Sequence, residues 1–317
     1  MIPTYNQEKF IAEAIDSALM QSYKNLEIIV GDDASSDTTP KIIQNFRDPR
    51  LKTIFNRTNI GRVANYRQLL HRYASGDYAV NLDGDDYYTD PNFIKDAVDL
   101  IGENKKVVMV VAKICWKTKG RRKVSEIPPE KELTGNDILQ NLPQRKFLLK
   151  HMGTIYKLDI AKKINFYRYD TISSDWESLY RLAMYGQVKY LDKTVGVWRK
   201  HDRNETKSID FQKFVKNLEI WPSIFSTAQK QGMKPRVAIL SQNRCIGYFA
   251  NRYIERLSVK GITSQSRFLF YTFKRFKTGA LFVFYPPYCK KTLWRTVKSC
   301  LNHNKNREKK PEDNRQL

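Results

Sequence analysis

The chain has 317 residues, 41% of them hydrophobic, with 56 lysines and arginines against 33 aspartates and glutamates, a formal charge of +23. That is ordinary globular composition, long enough for about two domains, and it excludes a disordered, collagenous or disulfide-scaffold protein. The four cysteines, Cys115, Cys245, Cys289 and Cys300, show no Cys-x-x-Cys spacing and read as reduced thiols of a cytoplasmic protein.

In chain order, Phe10, Ile11, Ala14, Ile15, Ala18 and Leu19 recur at helical spacing, with Asn6 as the expected N-cap. Leu26 to Gly31 is a short apolar run and reads as a buried strand. Asp32 to Thr39 is a loop, Pro40 to Phe46 a helix and Leu51 to Phe55 a strand. A turn at Asn59-Ile60-Gly61 leads into a helix from Val63 to Tyr73. The strand Tyr78 to Leu82 runs into Asp83-Gly84-Asp85-Asp86. Pro91 to Ile101 is a helix with proline in its first turn. Val107 to Ile114 is a β-branched strand. Residues 117–150 are irregular and basic, a surface excursion that reads as a lid or acceptor-side loop. Gly153 to Asn165 returns to strand and helix. A helix from Ser174 to Ala183 closes at Gly186, with Ser174-x-x-Glu177 as a capping box. Val188 to Leu191 and Val195 to Trp198 are short strands.

Strands alternating with helices predict an α/β fold with a mostly parallel central sheet flanked by helices. Ligands of such sheets sit at the carboxyl ends of the strands, where both Asp32/Asp33 and Asp83 to Asp86 fall. Three carboxylates in four residues repel one another unless a cation lies between them. Hard oxygen ligands on a strand-end loop suit Mg²⁺ or Mn²⁺ bound together with substrate phosphates. The plain alternative is a solvated Asp-Gly turn.

Ile2-Pro3-Thr4-Tyr5-Asn6 followed by Glu8, Asp32-Asp33-Ala34-Ser35-Ser36-Asp37, the approach Asn59-Ile60-Gly61, Ala64-Asn65 and Gly76-Asp77-Tyr78 to the DxD stretch Leu82-Asp83-Gly84-Asp85-Asp86, then Ser174-Asp175 and Trp198-Arg199-Lys200-His201 form an ordered series. This series resembles the signatures of family-2 inverting glycosyltransferases of the GT-A fold, nucleotide-sugar-dependent enzymes of bacterial-type polysaccharide and lipid-linked oligosaccharide synthesis. The resemblance covers residues 1 to about 205. It implies that Pro3, Tyr5 and Glu8 line the nucleotide pocket and that Asp33, with Asp32 close by, hydrogen-bonds the base. A carboxylate can accept the N3–H of uracil, and UDP is favoured over dTDP and GDP. Asp85 and Asp86, with Asp83, would hold Mn²⁺ or Mg²⁺ and through it the diphosphate. Arg199 would touch the diphosphate and His201 the metal. Asp175 would be the general base that deprotonates the acceptor hydroxyl. The family usually has Glu before this Asp; here Ser174 stands there, which removes a neighbouring charge. Arg181 reads as structural, and His71 and His151 carry no assignment.

Members of the family also carry several apolar residues ahead of the Ile-Pro-Thr-Tyr-Asn stretch, where this chain has only Met1. The first strand is therefore expected to be clipped, and a form with that extension to be more stable.

The charge divides the chain. After residue 229 there are 20 basic and 4 acidic residues, so two-thirds of the positive excess lies there. The expected organisation is a glycosyltransferase domain over residues 1–215 and a basic, aromatic-rich helical region over 216–317, frayed from residue 302. Phe268 to Phe276 and Leu281 to Tyr285 interleave bulky apolar groups with lysine and arginine, which suits an anionic membrane surface. The same mixture serves single-stranded nucleic acid, but no nucleic-acid module signature is present. No segment reads as a secretory signal, and the uncharged run Thr278 to Cys289 is well short of the ~20 residues a spanning helix needs. The expected location is the cytoplasm, with peripheral contact to the inner face of the cell membrane. The donor is then a nucleotide sugar and the acceptor a saccharide or lipid-linked hydroxyl. A nucleotidyltransferase lacks its phosphate loop here. A degenerate nucleotide-sugar-binding protein, or a basic protein that binds nucleic acid or membrane without catalysis, is the other class of reading.

Overall fold

The computed structural model describes residues 1–102, 104–118, 121–142, 149–201, 204, 210–257 and 260–277. The readings for 281–285, for Cys289 and Cys300 and for the tail from 302 lie outside these residues.

The chain opens on a parallel ladder. Strand β1 (Ile2–Thr4) pairs with β2 (Ile28–Asp32), which pairs with β3 (Leu51–Phe55). On the other flank of β1, Met1 N donates to Val80 O, while the N–H groups of Leu82 and Gly84 donate to Met1 O and Pro3 O. Residues 80–84 thus run alongside β1, although only β4 (Tyr78–Ala79) of the expected strand is regular. Strand β1 has three residues and is buried throughout.

Helix α1 (Ile11–Leu19) buries Ile11, Ala14, Ile15 and Ala18, the apolar stripe read from the sequence. Its cap differs from expectation. Phe10 occupies the N-cap position, and Asn6, at φ +53°, accepts instead from the Ser36 N–H in the neighbouring loop. Helix α2 (Thr39–Asn45) carries Pro40 in its first turn, and α3 (Arg62–Gln68) ends in a π turn, Leu69–Tyr73. Gly31 lets α3 approach β2: a Cβ there would stand 2.7 Å from Leu69. Asn65 Nδ2 then reaches Gly31 O at 2.8 Å.

The second sheet has the order β4, β9 (Thr154–Lys157), β6 (Val107–Thr118), β10 (Gln187–Val197), β5 (Tyr87–Tyr88). Strand β7 (Arg121–Val124) folds back on β6, and β8 (Glu132–Thr134) pairs with β10. Only β6 and β10 are parallel here; the other pairs are antiparallel. The parallel sheet expected from alternation is therefore confined to β1–β3 and this one pair; of the antiparallel pairs, only β6–β7 follows from a connection too short for a parallel return. The two strands expected near 188–198 are one, β10, with register shifts at Leu191/Thr194 and Thr194/Gly196. The excursion read as irregular holds β7, β8 and α5 (Gly135–Asn141), whose Thr134–Asp137 pair forms a complete capping box.

Helices α4 (Phe93–Ile101), α6 (Leu158–Lys163) and α7 (Ser174–Ala183) flank the sheets. Four more follow among the described residues: α8 (Phe211–Leu218), α9 (Ile220–Lys230), α10 (Pro235–Leu257) and α11 (Ile262–Phe276). The division expected at residue 215 falls inside α8. One apolar cluster runs from Ile29 through Leu182 to Phe268. Within it Trp221 stacks on Phe249 at 4.9 Å and Phe214 on Tyr253 at 4.4 Å. Cys115 and Cys245 are buried free thiols.

Candidate active site

A cleft of about 870 Å³ opens where β1, β2 and the Asp83–Asp86 loop end. Of the expected residues, Pro3, Tyr5, Glu8, Asp33, Asp83, Asp85 and His201 line it. Two loops make its first wall. The N–H groups of Asn6 and Gln7 donate to Ser35 Oγ and Thr39 Oγ1, both at 2.8 Å. Glu8 accepts from the Thr38 N–H at 3.1 Å and from its hydroxyl at 2.7 Å. These two bonds hold the exposed Glu8 carboxyl below its usual range.

Asp33 is buried and accepts three hydrogen bonds, from Asn56 Nδ2 at 2.8 Å and from the N–H groups of Ile60 and Gly61 at 2.9 Å. A carboxylate has about four acceptor sites, so one remains for a donor in the cleft. Asp32, expected beside it, is turned away. It is buried and accepts from the N–H and hydroxyl of Ser35, which fixes the turn.

The second wall is the acidic loop. Oxygens of Asp83, Asp85 and Asp86 all lie within 4.8 Å of one another. Gly84 makes this close seating possible, since a Cβ there would stand 2.3 Å from Gln7 Oε1 and 2.8 Å from Thr4 Oγ1. Tyr66 donates its hydroxyl to Asp83 Oδ1 at 2.6 Å. His201 Nε2 lies 2.8 Å from Asp85 Oδ2, its ring stacked on Phe10, and Asn204 Nδ2 donates to the same oxygen at 3.3 Å. Burial, then the charge of Asp83, pushes the Asp85 carboxyl up. Burial, then Asp85 and Asp83, pushes Asp86 well up. These are clustered carboxylates short of positive charge, and the donor set fits a hard divalent cation.

Arg199 does not line the cleft. Its backbone N–H donates to Asp86 Oδ1 at 2.8 Å and its guanidinium to Asp85 O at 2.8 Å. The guanidinium lies over the Tyr87 ring at 4.2 Å and pairs with Glu13. It braces the loop from behind. Lys9 and Arg62 are the lysine and arginine on the wall; Arg62 donates to Thr171 O at 2.8 Å and lies 5.4 Å from the Tyr66 ring centre.

Asp175 sits in the first turn of α7, half-buried, and makes no hydrogen bond or ion pair among the described residues. Its charge acts on Arg62 and His151, as does that of Asp83, so both carboxylates lie within electrostatic reach of the same two side chains. The expected capping box is absent. Ser173 holds the N-cap position, and the buried Ser174 hydroxyl has no partner. Glu177 points into the protein, onto Arg181 at 2.6 Å, Arg168 at 3.1 Å and the Ser223 hydroxyl. The inner face of α7 packs on α9, and Glu177 answers the buried arginine there rather than the helix end. Arg181 is structural, as expected.

Sequence reading missed Tyr66, Arg62 and Asn204. Tyr66 shares helical spacing with Val63, Leu69 and Leu70 and looks like core; nothing local marks its hydroxyl as a partner of Asp83.

The model of the family Glycosyl transferase family 2 matches residues 1–170. The chain belongs to that family. An uncharacterised protein of Mycobacterium tuberculosis, Rv1520, is 31% identical over 206 residues, 62% of this chain and 57% of that protein. The poly(ribitol-phosphate) beta-N-acetylglucosaminyltransferase TarS of Staphylococcus aureus is 27% identical over 190 residues, 58% of this chain and 32% of TarS. The chain thus spans about half the length, or less, of these curated relatives. Among solved structures, TarS 1–349 in complex with UDP superimposes with a TM-score of 0.64 at 20% identity, over 85% of this chain and 77% of that one. The mannosyltransferase PcManGT from Pyrobaculum calidifontis, in complex with GDP-Man and Mn²⁺, gives 0.55 at 17% identity, over 95% and 84%. The fold of this family-2 chain is GT-A, with helices α8–α11 added at the C-terminal side.

Proposed function

We propose that this family-2 chain is a metal-assisted inverting glycosyltransferase that moves a sugar from a UDP-sugar to a hydroxyl of a saccharide or lipid-linked acceptor. The observation that carries this reading is one cleft with Asp33 on one wall and the Asp83/Asp85/Asp86 cluster on the other, with Asp175, unpaired among the described residues, in electrostatic reach of the wall residue Arg62. Asp33 offers its remaining acceptor site to the base N–H, with Pro3 and Tyr5 against the ring. Arg62 faces the phosphates, where a guanidinium fork suits their oxygens. Asp83, Asp85 and Asp86, with His201 on Asp85, would hold Mn²⁺ or Mg²⁺. Such a cation, when bound, offsets the charge that grows on the leaving diphosphate. Asp175 takes the proton of the attacking hydroxyl, and a single displacement with one base inverts the anomeric centre. Complexes of TarS with UDP and with UDP-GlcNAc support the choice of donor nucleotide.

A thermal-shift panel tests this. UDP with Mn²⁺ raises the midpoint by mass action, by about 2.7 kcal/mol of stability at a hundredfold excess over Kd. GDP and CDP should do less, EDTA should abolish the shift, and Asp85→Ala should lose it. No shift with any nucleotide would overturn the reading.

Peripheral contact with an anionic membrane at the inner face of the cell is part of the proposal. Arg267, Phe270 and Lys274 stand outward along α11, and Phe270 is 72% exposed. No helix among the described residues is long and apolar enough to cross a membrane. Phe270→Ser with Lys274→Glu should weaken sedimentation with anionic vesicles; undiminished binding would reject this contact.

A further inference from the structure

Beyond the acidic cluster, away from β1 and β2, the second sheet builds a platform of aromatic and basic groups. Strand β6 carries Trp116 near its C-terminal end. On one side the register pairs Trp116 with Lys123 of β7, whose four residues are all exposed. On the other, β10 runs beside β6 to Val197, and the Trp198 N–H donates to Cys115 O at 2.8 Å. The two indoles therefore stand together, ring centres 6.2 Å apart. Lys200 lies over both, its ammonium 4.6 Å from the Trp198 ring and 5.4 Å from the Trp116 ring. Lys150 approaches Trp116 from a third direction, at 5.8 Å.

This platform is continuous with the reaction centre. Trp198 lines the same cleft as Asp83, Asp85 and His201. Lys150 precedes His151, whose ring feels the charges of both Asp83 and Asp175. The nucleotide wall is formed by other elements, β1, β2 and α3, so the platform occupies the side left for the second substrate. Lys150 and Lys200 lie over the rings, and Lys123 stands opposite Trp116 in the ladder. Indole faces pack well on the CH faces of sugars and polyols. Lysines are flexible point charges for phosphate and carboxylate, and a cluster of them raises the local concentration of an anion.

We propose that Trp116, Trp198, Lys123, Lys150 and Lys200 form the acceptor subsite, built for a saccharide or polyol chain that carries phosphodiester or carboxylate groups. The proposal rests on the glycosyltransferase reading above and names its acceptor class.

Tryptophan fluorescence reads the site directly. The protein, with UDP and Mn²⁺ present, is titrated with a glycerol-phosphate hexamer, a galacturonate hexamer, chitohexaose and a thymidylate hexamer. The first two arms separate phosphodiester from carboxylate recognition. At least one of them is expected to bind about tenfold more tightly than the neutral and nucleic-acid chains. Lys123→Glu with Lys200→Glu, both exposed, should weaken that binding about tenfold. Trp116→Phe with Trp198→Phe should remove most of the quenching. Lys230→Glu with Lys234→Glu makes the same charge change near Gln231, which neighbours Lys106 at the opposite end of β6, and should change little. Equal binding of chitohexaose or thymidylate, or equal weakening by the remote pair, would overturn the proposal. The UDP-induced thermal shift is followed in every variant. If the wild type shows no UDP response yet binds an anionic chain through Lys123 and Lys200, the donor reading fails and the subsite stands.

Discussion

The carboxylate of Asp86 carries the sharpest consequence of the site's electrostatics. Its folded-state pKa is raised by burial and by Asp85 and Asp83, above the roughly 3.9 of an unfolded chain. A raised carboxyl contributes stability that is present below the unfolded pKa and is lost as pH rises through the folded one. At neutral pH the cluster therefore weighs against folding, by about 1.4 kcal/mol for each tenfold gain in the carboxylate's proton affinity. Asp86→Asn keeps an oxygen for the Arg199 N–H and removes the charge. In EDTA its thermal midpoint should exceed that of the wild type at neutral pH, with the gap closing below about pH 4. Added Mn²⁺ should lift the wild type more than the variant; a wild type that is the more stable protein in EDTA would contradict this. The acidic loop was legible because its residues are adjacent in sequence and closely spaced. The groups that orient it were not. Tyr66 reaches it from 17 residues away and its helical spacing reads as core, while Arg199, 113 residues away, is expected at the diphosphate and not as the brace behind the loop.

At the scale of elements, α7 is gripped by the C-terminal helices at two points. Asn217 of α8 accepts from the Ser173 N–H at 2.8 Å and donates to its hydroxyl at 3.1 Å, at the N-cap of α7. Tyr253 of α10 holds Asn217 in turn. One turn further on, Ser223 of α9 donates to the buried Glu177. The first turn of α7 presents Asp175, so this grip sets the position of the proposed base. Asn217→Ala should lower kcat about tenfold, a loss of ~1.4 kcal/mol, while KM for the donor and the UDP thermal shift stay near wild type. Asn217→Asp should recover part of kcat. A parallel loss of donor affinity would mean the cleft as a whole had moved. Helix α7 itself was visible from its apolar spacing and closing glycine. Its true cap was not, because Ser173 and Ser174 are equally good caps in sequence. Only packing decides which hydroxyl turns inward.

Across the whole molecule, the change in charge after residue 229 was legible, and so was a helical C-terminal region. Its integration was not, since sequence periodicity shows that a face is apolar but not what covers it. Trp221 and Phe249 stack against each other, Trp176 of α7 meets Phe249 at 5.5 Å, and Tyr180 meets Trp221 at 6.4 Å. Removing α8–α11 would strip these rings of cover, at roughly 1.5–3 kcal/mol for each large side chain exposed. A chain ending at residue 205 should therefore lose its near-ultraviolet circular dichroism while keeping much of its far-ultraviolet signal. A sharp, cooperative melt of that fragment would show that the first 205 residues stand alone.

Consecutive carbonyls of β1 carry both sides of the cleft: Pro3 O receives the Gly84 N–H, and Thr4 O receives the Asp33 N–H. The base-side aspartate and the acidic loop thus hang from one rail. Amide hydrogen exchange should register them as one opening event, with Gly84 and Asp33 slowing together when either nucleotide or cation is added alone. Base and cation, seated on opposite walls, would then each tighten the other's seat through a three-residue strand.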